Sequence, residues 1–153
     1  MNNHIKIYKV DEFNRVIESY DKIHIHGVDV KLKGIRKKYP LFKRDNFKCK
    51  GCGVQATHYA IEKRSTWFVI QLYHESVLMT IDHICPKSKG GGNSYKNLQT
   101  MCYVCNNKKG SDWDQVSGKQ KGIVKANQPK TSRLIERGLS TEEMIKVYNT
   151  GKL

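Results

Sequence analysis

The sequence predicts a small α+β domain, and three observations carry that expectation. Segments that alternate apolar and polar residues, as half-buried strands do, are interleaved with short stretches of helical period. Two C-x-x-C pairs, Cys49/Cys52 and Cys102/Cys105, are separated by 49 residues and can close on a single ion. The chain has 153 residues and 38% hydrophobic content, enough for one domain with a modest core.

Taken in order, residues 5–10 (IKIYKV) alternate like a short strand, and 11–20 (DEFNRVIESY) suit a turn or two of helix. Residues 23–32 (IHIHGVDVKL) alternate about Gly27 as a small hairpin does. His24 and His26 are expected on its exposed face rather than on a metal. Residues 39–46 are expected as a short helix with Pro40 at its first position, where the missing N–H costs nothing. That helix leads into the knuckle FKCKGCG. Residues 57–63 and 67–74 should pair as strands, with 76–84 as a third, and they carry an insertion at 53–77 between the cysteine pairs. His58 and His74 belong to it and are expected to be structural or surface residues.

Residues 90–94 must form a loop, because three consecutive glycines carry too much backbone entropy for a regular element. LQTMC (98–102) returns as a strand, and a short helix starts near Val104 and stops at Gly110. Residues 111–131 read as a polar arm. The end reads as helical, with Ser140 and Glu143 as a capping box and Met144, Val147 and Tyr148 as an apolar stripe. The expected organisation is an N-terminal extension at 1–41 available for nucleic-acid or dimer contacts, a core at 42–110, and a basic C-terminal arm with helices at 111–153.

Charge narrows the partner. The formal net charge is +14, from 28 basic and 14 acidic residues. Two acid-free stretches stand out: residues 30–44, with seven basic residues, and 115–135, with five. A polyanion is the simplest partner for such an imbalance, since neutralising phosphates releases counterions. Lys37, Lys38, Lys87, Lys89, Lys108, Lys109, Lys119 and Lys121 are the candidate contacts. No stretch is long and apolar enough to span a membrane, and the opening MNNHIKIYKV has no signal-peptide core, so a cytoplasmic, reducing setting is expected. There the two cysteine pairs suit a tetrahedral zinc site, with redox-active pairs or cysteines that hold no metal as the alternatives. Cys85 is left over and is expected to pack as a small apolar side chain.

The stretch LMTIDHICPKSKGGGNSYKNLQTMCYVCNNKKG (78–110) holds the remaining chemistry. Asp82 and His83 sit side by side at the end of an apolar run. Asn97 follows the glycine-rich loop, and Asn106 directly follows the second cysteine pair. Asp82 is the only carboxylate between Ser76 and Ser111, among Lys87, Lys89, Lys96, Lys108 and Lys109. One anion kept among cations suits a divalent-metal ligand beside a phosphate site.

Over residues 42–110, through RDNFKCKGCG, DHICPKSKGG, NLQTM and CYVCNNKKG, the chain resembles the HNH endonucleases, whose core is called ββα-metal. The resemblance implies a metal-dependent nuclease acting on nucleic acid, with double-stranded DNA the expected substrate and a homodimer left open. It implies that His83 is the general base, a task that suits an imidazole neutral near pH 7. It further implies that Asp82 and Asn106 hold a catalytic Mg²⁺ or Mn²⁺ through oxygen, and that Asn97 fixes the loop that aims His83. Zinc on Cys49, Cys52, Cys102 and Cys105 would be structural. Consecutive strand residues face opposite ways, so a strand end or kink near 84–86 is needed if Asp82 and His83 serve one site. The rival expectation is a non-catalytic zinc module that binds nucleic acid through its basic surface.

Overall fold

The computed structural model describes residues 4–111. The expected C-terminal arm, its capping box, and Lys119 and Lys121 lie outside the described residues. Strand β1 (His4–Lys9) runs directly into helix α1 (Val10–Ser19), which buries Phe13 and Ile17, one turn apart on one face. Strands β2 (Lys22–Ile25) and β3 (Val28–Lys31) make the expected hairpin. Its turn residues His26 (φ 48°) and Gly27 (φ 80°) are both left-handed, as a two-residue turn matching the strand twist requires. His24 is exposed and its Nδ1 lies 3.0 Å from Asp29 Oδ1 on the facing strand.

Helix α2 (Lys33–Arg44) corrects one expectation. The helix expected at 39–46 begins six residues earlier, and Pro40 lies inside it rather than at its first position. An interior proline costs about 3 kcal/mol through a lost hydrogen bond and a ring clash. Burial of Ile35, Tyr39 and Phe42, spaced four and three residues apart, outweighs that cost. The boundary expected between residues 41 and 42 therefore falls within a single helix.

Strands β4 (His58–Arg64), β5 (Trp67–His74), β6 (Val77–His83) and β7 (Leu98–Cys102) join β1 in one five-stranded sheet of order β1-β4-β5-β6-β7. Each strand is antiparallel to its neighbour. Helix α3 (Tyr103–Lys109) closes the described chain. The insertion is thus the middle of the sheet, and β1 caps its edge by pairing with β4. His58, in β4, is buried and stacks on Tyr73 at 5.6 Å, while His74 Nδ1 reaches the Gln55 carbonyl at 2.6 Å. One buried cluster runs from Phe13 and Ile17 through Tyr59, Leu72 and Met101 to Cys102 and Cys105. Among the described residues no helix is long and apolar enough to cross a membrane.

A polar latch joins the end of α2 to the site. Arg44 Nε and Nη2 donate to the two oxygens of Asp45 at 2.9 and 3.1 Å. Its Nη1 and Nη2 also reach the carbonyls of Tyr95 (2.8 Å) and Leu98 (2.7 Å). Asp45, 4% exposed, accepts the Thr100 amide at 2.8 Å. The carboxylate therefore organises the arginine and β7 together, with charge assistance on each bond.

Candidate active site and metal centre

Strands β6 and β7 and helix α3 carry every candidate in the described chain except Cys49, Cys52, Lys37 and Lys38 and, in the loop between the two strands, Lys87, Lys89 and Asn97. Their register pairs Asp82 with Gln99 and Thr80 with Met101. Residues two apart share a face, so these four side chains look the same way, toward α3. Asn106 Nδ2 donates to Thr80 Oγ1 at 2.9 Å. One turn on, Lys109 Nζ meets Asp82 Oδ2 at 2.9 Å and donates to the His83 carbonyl at 2.6 Å. Asp82 Oδ2 also accepts from Gln99 Nε2 at 2.9 Å. Among the described residues nothing donates to Asp82 Oδ1 or Asn106 Oδ1. Asp82 on β6 and Asn106 on α3 thus each keep a hard oxygen where the helix covers the β6–β7 hairpin, the ligand type that a small divalent cation takes.

The expectation that Lys109 is a phosphate-contacting lysine is corrected by the structure. The residue is 5% exposed and its ammonium is engaged with Asp82 and His83. Helix phase is the reason. Cys102, Cys105, Asn106 and Lys109 fall at i, i+3, i+4 and i+7, one inward stripe, whereas Lys108 is off it and exposed. Lys37, Lys38, Lys87 and Lys89 are exposed as well.

His83 is the last residue of β6, opposite Leu98, on the alternate phase from Asp82. Its Nε2 lies 2.9 Å from Asn93 Oδ1 in the glycine-rich loop. No hydrogen bond joins its ring to Asp82 or Asn106. Asn97 binds both ends of that loop: its Oδ1 accepts the Cys85 amide at 2.8 Å, and its Nδ2 donates to the carbonyls of Cys85 (3.1 Å) and Gly92 (2.8 Å). The loop passes so close that a Cβ on Gly91 would lie 1.8 Å from the Cys85 carbonyl oxygen, which only glycine avoids. Cys85 itself is half-buried beside Pro86.

The four paired cysteines converge. Their sulfurs all lie within 4.8 Å of one another, with Cys52 and Cys102 Sγ 3.9 Å apart. Tetrahedral zinc–thiolate bonds of about 2.3 Å place sulfurs about 3.8 Å apart, so the cluster fits such an ion. Each pair is a tight turn with amides aimed at sulfur: Gly51 N to Cys49 Sγ at 3.3 Å, and Cys105 N to Cys102 Sγ at 3.4 Å. A Cβ at Gly51 would sit 2.9 Å from Cys105 Sγ, so glycine lets the knuckles close. A hydrogen bond from Cys102 and the amides of Cys52 and Gly51 hold the Cys49 thiol down at about 4. Burial pushes Cys105 up to about 12, and the neighbouring Cys49 raises Cys102. A metal ion bound by the four sulfurs would have to displace the protons that remain on them.

Residues 73–121 match the HNH endonuclease family. The HNH segment begins at the end of β5, contains β6, the glycine-rich loop, β7 and α3, and runs past the described residues. It includes Cys102 and Cys105 but neither Cys49 nor Cys52, so half of the cysteine cluster comes from outside it. The resemblance expected from residue 42 onward is matched from residue 73. Comparison with the curated proteins and with the solved structures finds no match.

Sequence reasoning passes over Thr80, Asn93 and Gln99. Thr80 and Gln99 are readable in principle, because both lie on the Asp82 phase of their strands. Asn93 carries no such signal, being one polar residue in a loop. The Arg44–Asp45 dipeptide stands in the sequence only as part of the RDNFKCKGCG motif, and its function as a latch needs the fold.

Proposed function

We propose that this protein is a metal-dependent endonuclease that hydrolyses phosphodiester bonds in double-stranded DNA. One coincidence carries the reading. The HNH match covers the same segment in which Asp82 on β6 and Asn106 on α3 each offer an unpartnered oxygen where the helix covers the hairpin, with the His83 imidazole at the end of β6.

A Mg²⁺ or Mn²⁺ ion held by Asp82 and Asn106 would supply the positive charge that stabilises the attacked phosphate and the leaving 3′ oxygen. His83 takes the proton from the attacking water. When Nε2–H is donated to the Asn93 side-chain carbonyl oxygen, Nδ1 is the nitrogen left to accept that proton. Asn97 keeps the loop, and with it Asn93, in register with the end of β6. Lys37, Lys38, Lys87, Lys89 and Lys108 hold the phosphate backbone, supplying affinity that depends on salt. Zinc on the four cysteines fixes the turn from which α3 starts, and so fixes Asn106.

Incubation of supercoiled plasmid with the zinc-loaded protein tests the reading. Nicked and linear products are expected with Mg²⁺ or Mn²⁺ and none with EDTA. The rival, a zinc module that binds without cutting, has one observation on its side: Asp82 is already neutralised through Oδ2 by Lys109. Plasmid that is bound yet stays supercoiled in Mg²⁺ would favour the rival and refute the nuclease.

A further inference from the structure

Lys109 takes no part in the hydrolysis described above, yet it is the only buried lysine or arginine among the described residues. Its side chain is 1% exposed, out of reach of a phosphate in solvent. An ammonium is expensive to bury unless it is paired and hydrogen-bonded. Here the pairing is specific: Asp82 Oδ2 at 2.9 Å and the His83 carbonyl at 2.6 Å. Both contacts fall on the two consecutive residues that the nuclease reading uses. Gln99 Nε2, at 2.9 Å, shares the same carboxylate oxygen, so Oδ2 is doubly held while Oδ1 has no donor among the described residues.

We infer that Lys109 is a positioning residue, an internal counter-cation that pins Asp82 through Oδ2 and the end of β6 through the His83 carbonyl, leaving Oδ1 to the divalent ion. The inference rests on the nuclease reading of this site. It has a definite electrostatic consequence. A fixed positive charge on one carboxylate oxygen repels a divalent cation at the other, by at least about tenfold in binding for a separation of about 5 Å, the figure that full water screening already gives. The site therefore trades metal affinity for order: the ion binds more weakly than the bare carboxylate would allow, but to a carboxylate and a strand end already in place.

The test uses the full-length, zinc-loaded protein, with Lys109→Met, Lys109→Arg, Asp82→Asn and the double variant Asp82→Asn/Lys109→Met. Urea unfolding without divalent cation, Mn²⁺ binding by electron paramagnetic resonance, and plasmid cleavage against Mn²⁺ concentration are the three readouts. Lys109→Met should unfold at lower urea, because Asp82 is left buried and unpaired, and Asp82→Asn in the same chain should restore most of the loss. Lys109→Met should bind Mn²⁺ about tenfold more tightly or better yet cut at least tenfold more slowly at saturation. Lys109→Arg keeps the charge and should hold Mn²⁺ affinity within about twofold of wild type. A residue that merely fills space could not tighten metal binding while slowing the reaction. Unchanged or weaker Mn²⁺ binding in folded Lys109→Met would overturn the inference, as would a stability loss that Asp82→Asn fails to relieve. If Lys109→Met does not fold, its recovery or failure in the double variant decides the same question. Absence of wild-type cleavage would instead sink the nuclease reading and leave the stability comparison to judge the clamp.

Discussion

At Gly91 the absence of a side chain decides the path of the loop that carries Asn93. A methyl group there collides with the Cys85 carbonyl, while one at Gly92 meets nothing within 4 Å. Gly91→Ala should therefore displace the loop and slow plasmid cleavage severalfold or more, with Gly92→Ala the tolerated control; equal rates for the two would show that the loop does not aim His83. The run of three glycines announces a loop, but which of them is indispensable depends on a close approach the sequence does not display. Lys109 gives the converse lesson. Next to Lys108 it looks like one more surface charge. Its spacing of three residues from Asn106 is the available sign that both face β6. Asp82→Ala should remove cleavage through the metal, so raised Mg²⁺ or Mn²⁺ should restore part of it, and a rate indifferent to metal concentration would contradict that role.

Among the elements, β6, β7 and α3 are legible because strand period, glycine loop and cysteine spacing all point the same way. The start of α2 is not, since Pro40 reads locally as a beginning and only burial of Ile35 reveals the preceding turns. Nor is the pairing of β1 with β4, which joins segments some fifty residues apart and leaves no local mark. The latch between α2 and β7 makes its own prediction. Burial tends to raise the Asp45 carboxyl, but its bonds from Arg44 and Thr100 prevail and hold it below the usual carboxylate range. Its stabilisation is then complete above the unfolded value of about 3.9 and is lost as pH falls through the lower folded value. Asp45→Ala should cost about 1–3 kcal/mol, chiefly by leaving the buried Thr100 amide without its acceptor. It should also flatten the acid limb of stability below about pH 4, measured by urea unfolding across pH. An unchanged acid limb would remove Asp45 from the account.

For the whole molecule, the four cysteines connect a knuckle just before β4 to the helix that follows β7. Zinc in small structural sites supplies on the order of 10 kcal/mol, comparable to the entire stability of such a domain. Cys105→Ser should lose the metal and the cooperative unfolding transition together; a soluble, cooperatively melting, zinc-free variant would contradict the structural role. The pairs are legible from spacing, because two C-x-x-C turns offer the four sulfurs a tetrahedral site needs. The basic surface should make DNA binding steeply salt-dependent. Neutralising Lys37 and Lys38 should weaken it and reduce the slope of log K against log salt by about 0.9 for each phosphate they neutralise in the wild type. The central claim, that His83 drives hydrolysis at a site built on β6, β7 and α3, is tested most directly by one comparison. Wild type and His83→Ala, matched for zinc content, fold and DNA affinity, are mixed with supercoiled plasmid under single-turnover conditions in saturating Mg²⁺. The account predicts that His83→Ala cuts about 10²–10⁴-fold more slowly; cleavage at the wild-type rate would contradict it.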